Sequence, residues 1–220
     1  MGSTLGGVGV LDKAVLLLDA LEEAPCSLAE LVAATELPRA TAHRLATALE
    51  GHGLVRRDDE GRFTLGTRLV ALGRAATDGF PLAGAAQRAL RELRDSTSES
   101  VQLFVREGDR RVCIAALQSP HGLRTIVPLG ASLPLGAGSG ARVLAGELGP
   151  AGWVESVAER EAGVASVSAP VHDGGVIVAA VSVSGPIERT TRHPGRRYGE
   201  AVVSAARRIQ RDAGLRTESA

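Results

Sequence analysis

At 220 residues and 22.6 kDa the chain has room for one large domain or two small ones, each with a buried core. Apolar residues make up 44% and charged residues 23%, a globular composition. Lysine plus arginine and aspartate plus glutamate number 25 each, which excludes any argument from global charge for nucleic acid, membrane or acidic partners. Val10 to Leu21 reads as a helix, with Leu11, Val15, Leu18 and Leu21 on one stripe and Asp12, Lys13 and Asp19 mostly off it. Its far side, Val10, Leu16 and Leu17, is apolar too, which predicts two neighbours, its own domain and a second subunit. Ser27-Leu-Ala-Glu30 is a capping box that starts a second helix over Leu28 to Ala34. After a turn over Thr35 to Pro38 a third helix begins near Pro38, where a missing N–H costs nothing, and runs to Glu50.

In that third helix Ala42, Leu45, Ala46 and Leu49 form the inward stripe. Arg39, Ala40, His43, Arg44 and Thr47 look outward, with Thr41 near the boundary. Leu54 to Leu65 holds two short strands about a turn whose Gly61 can adopt positive φ. Three helices and such a hairpin describe a winged helix-turn-helix. Local charge points the same way: residues 38–74 hold seven arginines (39, 44, 56, 57, 62, 68 and 74) against four acids, whereas residues 1–37 carry one base and six acids. That polarity would turn the third helix and the hairpin toward the phosphates of a duplex.

Arg68 to Thr77 predicts a connecting helix, broken by Asp78-Gly-Phe-Pro81. Beyond it Leu82 to Arg94 is helical, and Ser100 to Arg106 with Arg110 to Leu117 forms a hairpin about Gly108-Asp109. Ala165 to Val171 with Val176 to Ser184 forms a second about Asp173-Gly-Gly175, and Arg196 to Arg211 is a closing helix. The pattern is an antiparallel sheet flanked by helices, an α+β sensor-like domain. Strand alternation sets Ser166 with Ser168 on one face, and Ser182 with Ser184 on one face of the next strand; the four hydroxyls face either water or a pocket. Hydroxyls and backbone N–H groups suit a small carboxylate or amino acid.

Five aromatic side chains, Phe63, Phe80, Phe104, Trp153 and Tyr198, are too few for stacked bases, which excludes a single-strand nucleic-acid binder. Cys26 and Cys113 form no metal-ligand pair by spacing; a reduced protein with two buried thiols is expected, Cys113 packing in a core unless it senses redox state. Gly136-Ala-Gly-Ser-Gly140 lacks the lysine-serine pair and preceding strand of a phosphate loop and leads instead into a helix. His121, His172 and His193 fall in loops without metal-site or catalytic-triad order, so no catalytic residue, metal or cofactor is expected, and the chain reads as no enzyme. Met1 to Gly9 has no charged leader pattern and no window nears the roughly 18 apolar residues of a membrane span, so the cytoplasm is the expected location and no membrane partner is expected.

Gly9-Val-Leu-Asp-Lys-Ala14, Leu37-Pro-Arg-Ala-Thr-Ala-His-Arg-Leu45 and Gly61-Arg-Phe-Thr-Leu-Gly66 resemble the IclR family of bacterial transcription regulators. Leu123-Arg-Thr-Ile-Val-Pro-Leu-Gly130, Leu133-Pro-Leu, Glu161-Ala-Gly-Val-Ala-Ser166 and Ala179-Ala-Val-Ser-Val-Ser-Gly-Pro186 resemble that family's effector-binding domain, a GAF-like fold. Ser156-Val-Ala-Glu-Arg-Glu, Gly185-Pro-Ile-Glu-Arg and Arg192-His-Pro-Gly-Arg196 are similar to an actinobacterial branch that controls amino-acid biosynthesis, leucine genes included. Two departures stand out. Only eight residues separate Leu144 from Trp153 where the family carries a further helix, and the family's glycine-lysine pair is here Ala141-Arg142.

The resemblance implies a winged helix-turn-helix over 8–66, a linker helix over 67–80 and an effector-binding domain over 81–214. It and the helix reading place Arg39, Ala40, Thr41, His43 and Arg44 in the major groove of operator DNA, with Arg57 and Arg62 on the wing as phosphate or minor-groove contacts. Carried over from the family, the effector contacts are Ile126, Ser139, Gly140, Ser156, Glu159, Ser166, Ser182 and Ser184. The expected assembly is a homodimer, or a tetramer built from it, controlled by a small amino acid or carboxylate. The alternative is a small-molecule sensor acting through protein contacts alone, its winged helix used for dimerisation.

Overall fold

The computed structural model describes residues 9–216, so the expectation for residues 1–8 lies outside the described residues. The chain divides after Ala76 into two compact units. The first holds α1 (Gly9–Glu23), α2 (Leu28–Thr35), α3 (Arg39–Gly51), the hairpin β1 (Val55–Arg57) and β2 (Phe63–Leu65), and the start of α4 (Arg68–Asp78). The capping box forms: the Glu30 N–H donates to Ser27 Oγ at 3.3 Å and the Ser27 N–H to Glu30 Oε2 at 2.7 Å. Glu36 ends α2 in the left-handed region at φ 56°, which turns the chain sharply so that Leu37 enters the core and Pro38 caps α3. The core joins Leu17 and Leu21 of α1, Leu31 of α2, the small Ala42 and Ala46 of α3, and Val55 and Phe63 of the hairpin. Ahead of α2, Cys26 exchanges two backbone hydrogen bonds with Phe63, at 2.9 and 2.8 Å, which adds a third short rung to the wing.

The phase of α1 differs from the sequence expectation. Leu17, placed on the far side, is fully buried, while Leu11 and Val15 of the expected stripe are 61% and 41% exposed. A helix apolar on two sides fixes no phase by periodicity alone; the pair Leu17 and Leu21, one turn apart, meets the core of this unit.

The second unit runs α5 (Pro81–Thr97), β3 (Ser100–Glu107), β4 (Arg110–Leu117), β5 (Ser132–Pro134), α6 (Ser139–Leu144), β6 (Val154–Val157), β7 (Val164–Asp173), β8 (Val176–Pro186), α7 (Ile187–Thr190) and α8 (Pro194–Asp212). Its six strands form one sheet in the order β5-β4-β3-β8-β7-β6, every pair antiparallel. Alternation assigns the two faces. Leu103, Val167, Ala169, Val181 and Val183 pack against α5 and α8, whose Ala86, Ala89, Ala205 and Ala206 allow close approach. Phe104, Cys113 and Ala180 face the other way, toward Val143 and Leu144 of α6. The sequence reading does not mark β5, β6 and α7, which are three or four residues long and too short to show a period. His172, expected in a loop, lies inside β7. Among the described residues no helix is long and apolar enough to cross a membrane.

Candidate functional site: a reading helix and a hydroxyl pocket

In the first unit the outward face of α3 is as its phase predicts: Arg39, Ala40, His43, Arg44 and Thr47 are exposed and Thr41 is half-buried. Arg39 and Arg44 enter no ion pair among the described residues, so their charge stays available to a polyanion. The wing differs. Arg57 Nε lies 3.3 Å from Glu50, its Nη1 donates to the Gly61 carbonyl at 3.1 Å, and its guanidinium stands 4.1 Å over the Phe63 ring. Arg62 pairs with Asp58 at 3.0 Å and Glu60 at 3.2 Å; the hydrogen bond to Asp58 raises its pKa further. Both wing cations expected at phosphates are thus partly neutralised within the hairpin. Arg56, which the sequence reading did not single out, is exposed on the opposite face from Arg57 and meets no acid among the described residues. Its availability follows from alternation and from where Glu50 and Asp58 fall.

In the second unit β7, β8 and α6 bring together the serines that alternation had grouped. Ser166 opposes Ser184 and Ser168 opposes Ser182 across the ladder. Ser139 Oγ, at the start of α6, is 2.7 Å from both Ser166 Oγ and Ser168 Oγ, and Ser168 Oγ is 2.5 Å from Ser182 Oγ. Ser184 Oγ donates to the Gln102 side-chain oxygen at 3.1 Å. Ser139, Ser168, Ser182 and Ser184 are buried, so the stripe faces the interior and not water. Gly140 suits this closeness, since a β-carbon there would lie a tight 3.1 Å from Ser182 Oγ and 3.3 Å from Phe104.

Of these hydroxyls Ser139, Ser166, Ser182 and Ser184 line a cavity of about 30 Å³. Gly140 and Ser156 line it too. Ile126 does not: it is 53% exposed, and the neighbouring Val127 turns inward in its place. Glu159 stands outside the cavity wall, where its carboxylate accepts the Gly138 N–H at 3.1 Å and lies 3.4 Å from Arg142 Nη1. Arg142, at the family's glycine-lysine position, is held by Glu147 at 2.8 Å and the Glu155 carbonyl at 3.0 Å. Sequence reasoning missed Gln102, Phe104 and Arg111 in the wall, all carried by β3 and β4. Arg111 is 3% exposed, and burial together with the nearby Arg160 pushes its pKa down to about 10. The two thiols are buried and free; burial pushes Cys113 up to about 12, so it stays a protonated, unreactive core group at neutral pH. Among the described residues no group of histidine, cysteine and acid side chains could hold a metal.

Residues 10–59 match the family model described as the IclR helix-turn-helix domain. Residues 74–151 and 147–211 match the one described as the bacterial transcriptional regulator IclR C-terminal, and these stretches meet at the turn between α6 and β6. The glycerol operon regulatory protein of Streptomyces coelicolor is 28% identical over 243 residues, which cover 93% of this chain and 96% of that protein. An alignment longer than the 220-residue chain means that the relative carries residues lacking here. The HTH-type transcriptional regulator KipR of Bacillus subtilis is 30% identical over 131 residues, 59% of this chain and 52% of that protein. The crystal structure of an IclR homolog complexed with 4-hydroxybenzoate, from Microbacterium hydrocarbonoxydans, superposes with a TM-score of 0.77 at 21% identity over 93% of this chain and 99% of that one, a likeness of fold. With both family models matched over most of its length, the chain belongs to the IclR family and is a DNA-binding transcriptional regulator, not an enzyme.

Proposed function

We propose that this regulator is controlled by a small amino acid or related carboxylate that binds between α6 and the β7–β8 ladder, and that it reads operator DNA with Arg39, Ala40, Thr41, His43 and Arg44. The observation that carries the effector reading is the set of hydroxyls Ser139, Ser166, Ser182 and Ser184 on the wall of a cavity that the buried Arg111 also lines. A few polar groups converging on one cavity, a charged one with a shifted pKa among them, mark a candidate ligand site. About 30 Å³ is room for roughly two waters. An amino acid therefore enters only if α6 or β5 moves, and that movement gives the effector its unequal affinity for two states of the protein. The narrower assignment to amino-acid biosynthesis genes, leucine genes among them, rests on the wording of residues 156–161 and 185–196.

The working assembly in this reading is a homodimer in the cytoplasm, with residues 8–66 binding DNA, 67–80 linking and 81–214 sensing. Val10, Leu11, Val15 and Leu16 on α1 and Val70 and Leu72 on α4 are large apolar side chains left exposed in the single chain, which supports a second subunit covering them. The test has two arms. Selection from random-sequence duplexes identifies the operator, and its affinity is measured across salt. Thermal unfolding is then followed with a panel of amino acids, keto acids, glycerol and 4-hydroxybenzoate, with and without that duplex. The reading requires a steep salt dependence and a stabilising acid that changes operator affinity. Stabilisation by glycerol alone, or by no compound, counts against it.

A further inference from the structure

Arg111 is the one fully charged side chain of the cavity wall that is buried, and its bonds within the protein are incomplete. Nη1 donates to the Pro134 carbonyl at 3.0 Å and the Ala137 carbonyl at 2.8 Å, yet the buried Nε has no partner. Among the described residues no carboxylate lies within ion-pair distance. Glu161, on the same cavity wall, pairs with Arg160 at 3.6 Å, and Glu159 accepts the Gly138 N–H. The charged neighbour that does act on Arg111 is Arg160, a second cation, and even with its pKa near 10 the guanidinium is charged at neutral pH. A buried charge without a counter-ion is unfavourable in the folded chain and becomes favourable once an anion is supplied.

The geometry points to Arg111 as the anion-reading residue of this pocket, pairing with the carboxylate of an effector whose other end carries a hydroxyl, keto or amino group facing the serines. The spacing supports two ends. A β-carbon at Gly138 would lie 3.4 Å from Arg111 Nη2, and one at Gly140 would lie 3.1 Å from Ser182 Oγ. The start of α6 thus has the guanidinium beside its N-cap Gly138 and the hydroxyl ladder beside Gly140, its second residue. At Gly138 the φ of 93° disfavours any other residue, and at Gly140 an added β-carbon would press on the hydroxyl ladder. The assignment rests on the cavity being the effector site. Its competitor is a purely structural Arg111, a staple for the carbonyls of Pro134 and Ala137.

The test uses the full chain and two acid–neutral pairs, pyruvate with methyl pyruvate and 4-hydroxybenzoate with 4-hydroxybenzamide, followed by thermal unfolding up to tens of millimolar. The acids are expected to raise Tm saturably and the neutral partners not. Arg111→Met is expected to keep a Tm close to that of the parent and lose the acid response. Arg111→Lys, which keeps charge with fewer donors in a fixed fork, should retain the response with half-saturation moved at least tenfold higher. An acid response unchanged in Arg111→Met, or neutral partners that work as well as acids, overturns the assignment while the cavity remains the site. A large fall in Tm for both variants without ligand overturns it in favour of the staple. If no compound moves the parent while its operator affinity is intact, the cavity reading itself fails and takes this assignment with it.

Discussion

Ser168 Oγ lies 2.5 Å from Ser182 Oγ, its opposed partner across β7 and β8, and 2.7 Å from Ser139 Oγ, so one buried hydroxyl ties two strands to the helix above them. Removing it leaves two buried hydroxyls each short of a partner. Ser168→Ala should cost about 1–3 kcal/mol, read as a lower urea midpoint with an unchanged slope. A variant as stable as the parent would mean that water replaces the hydroxyl and that the ladder is no structural tie.

Trp153 lies directly on Gly195 and Gly199 of α8, where an added β-carbon would overlap its ring. Gly199→Ala should destabilise by about 1–3 kcal/mol through overpacking. Gly84 in α5 is the internal control: nothing lies within 4 Å of its added β-carbon, so Gly84→Ala should stabilise by about 0.5–1 kcal/mol. Denaturant midpoints of the two variants on either side of the parent are the expected result; both on the same side would contradict the packing argument.

On the reading helix, Arg44→Ala and Arg39→Ala should weaken operator binding and leave Tm unchanged, since neither side chain is buried or paired. Where the lost contact is a phosphate, the log–log salt slope should shallow by about 0.9. On the wing, Arg56→Ala should weaken binding more than Arg62→Ala, whose charge Asp58 and Glu60 already offset. Mobility shifts at several salt concentrations check the order; equal losses at the two wing positions would contradict it.

Glu30 titrates below its ordinary 4.5, chiefly because the Ser27 backbone N–H binds its carboxylate, with the Ser27 side chain helping. A depressed folded pKa gives stability that is present above the unfolded value and lost as pH falls through the folded one. Glu30→Gln should therefore be less stable than the parent at neutral pH, with the two converging as pH drops below 4.5. Unfolding midpoints across that range are the measurement; a gap that persists in acid would show that the charge of Glu30 is not its cause.

Buried Glu99 receives both Nε and Nη2 of Arg189, at 2.7 and 2.9 Å. Arg189→Met strands that carboxylate and should cost about 3–5 kcal/mol, whereas replacing both partners by apolar groups of similar volume should recover much of the loss. A double variant no more stable than Arg189→Met would contradict this.

What could be read in advance followed physical range. Ser27 and Glu30 announce α2 because a capping box is local, and Ala42, Ala46 and Leu49 set the face of α3 because small and apolar residues recur there with helical spacing. The serine ladder shows in alternation, but its burial depends on α6, which at six residues leaves little periodic trace. Arg111 was missed for a similar reason: beside Arg110 it reads as hairpin charge, and what buries it is chain near Pro134 and Ala137, more than 20 residues away. Ile126 came from likeness to relatives, and here the backbone turns that side chain out and brings Val127 in. Charge, hairpin and family likeness together place Arg57 and Arg62 on the wing, and none of them reveals that Glu50 and Asp58 stand close enough to claim them.

The two backbone bonds between Cys26 and Phe63 close a loop that contains α2, α3 and β1. Helix and wing are therefore joined by backbone hydrogen bonds as well as by the chain itself. If that pair holds while operator is bound and released, amide exchange at Cys26 and Phe63 should be as slow on DNA as off it.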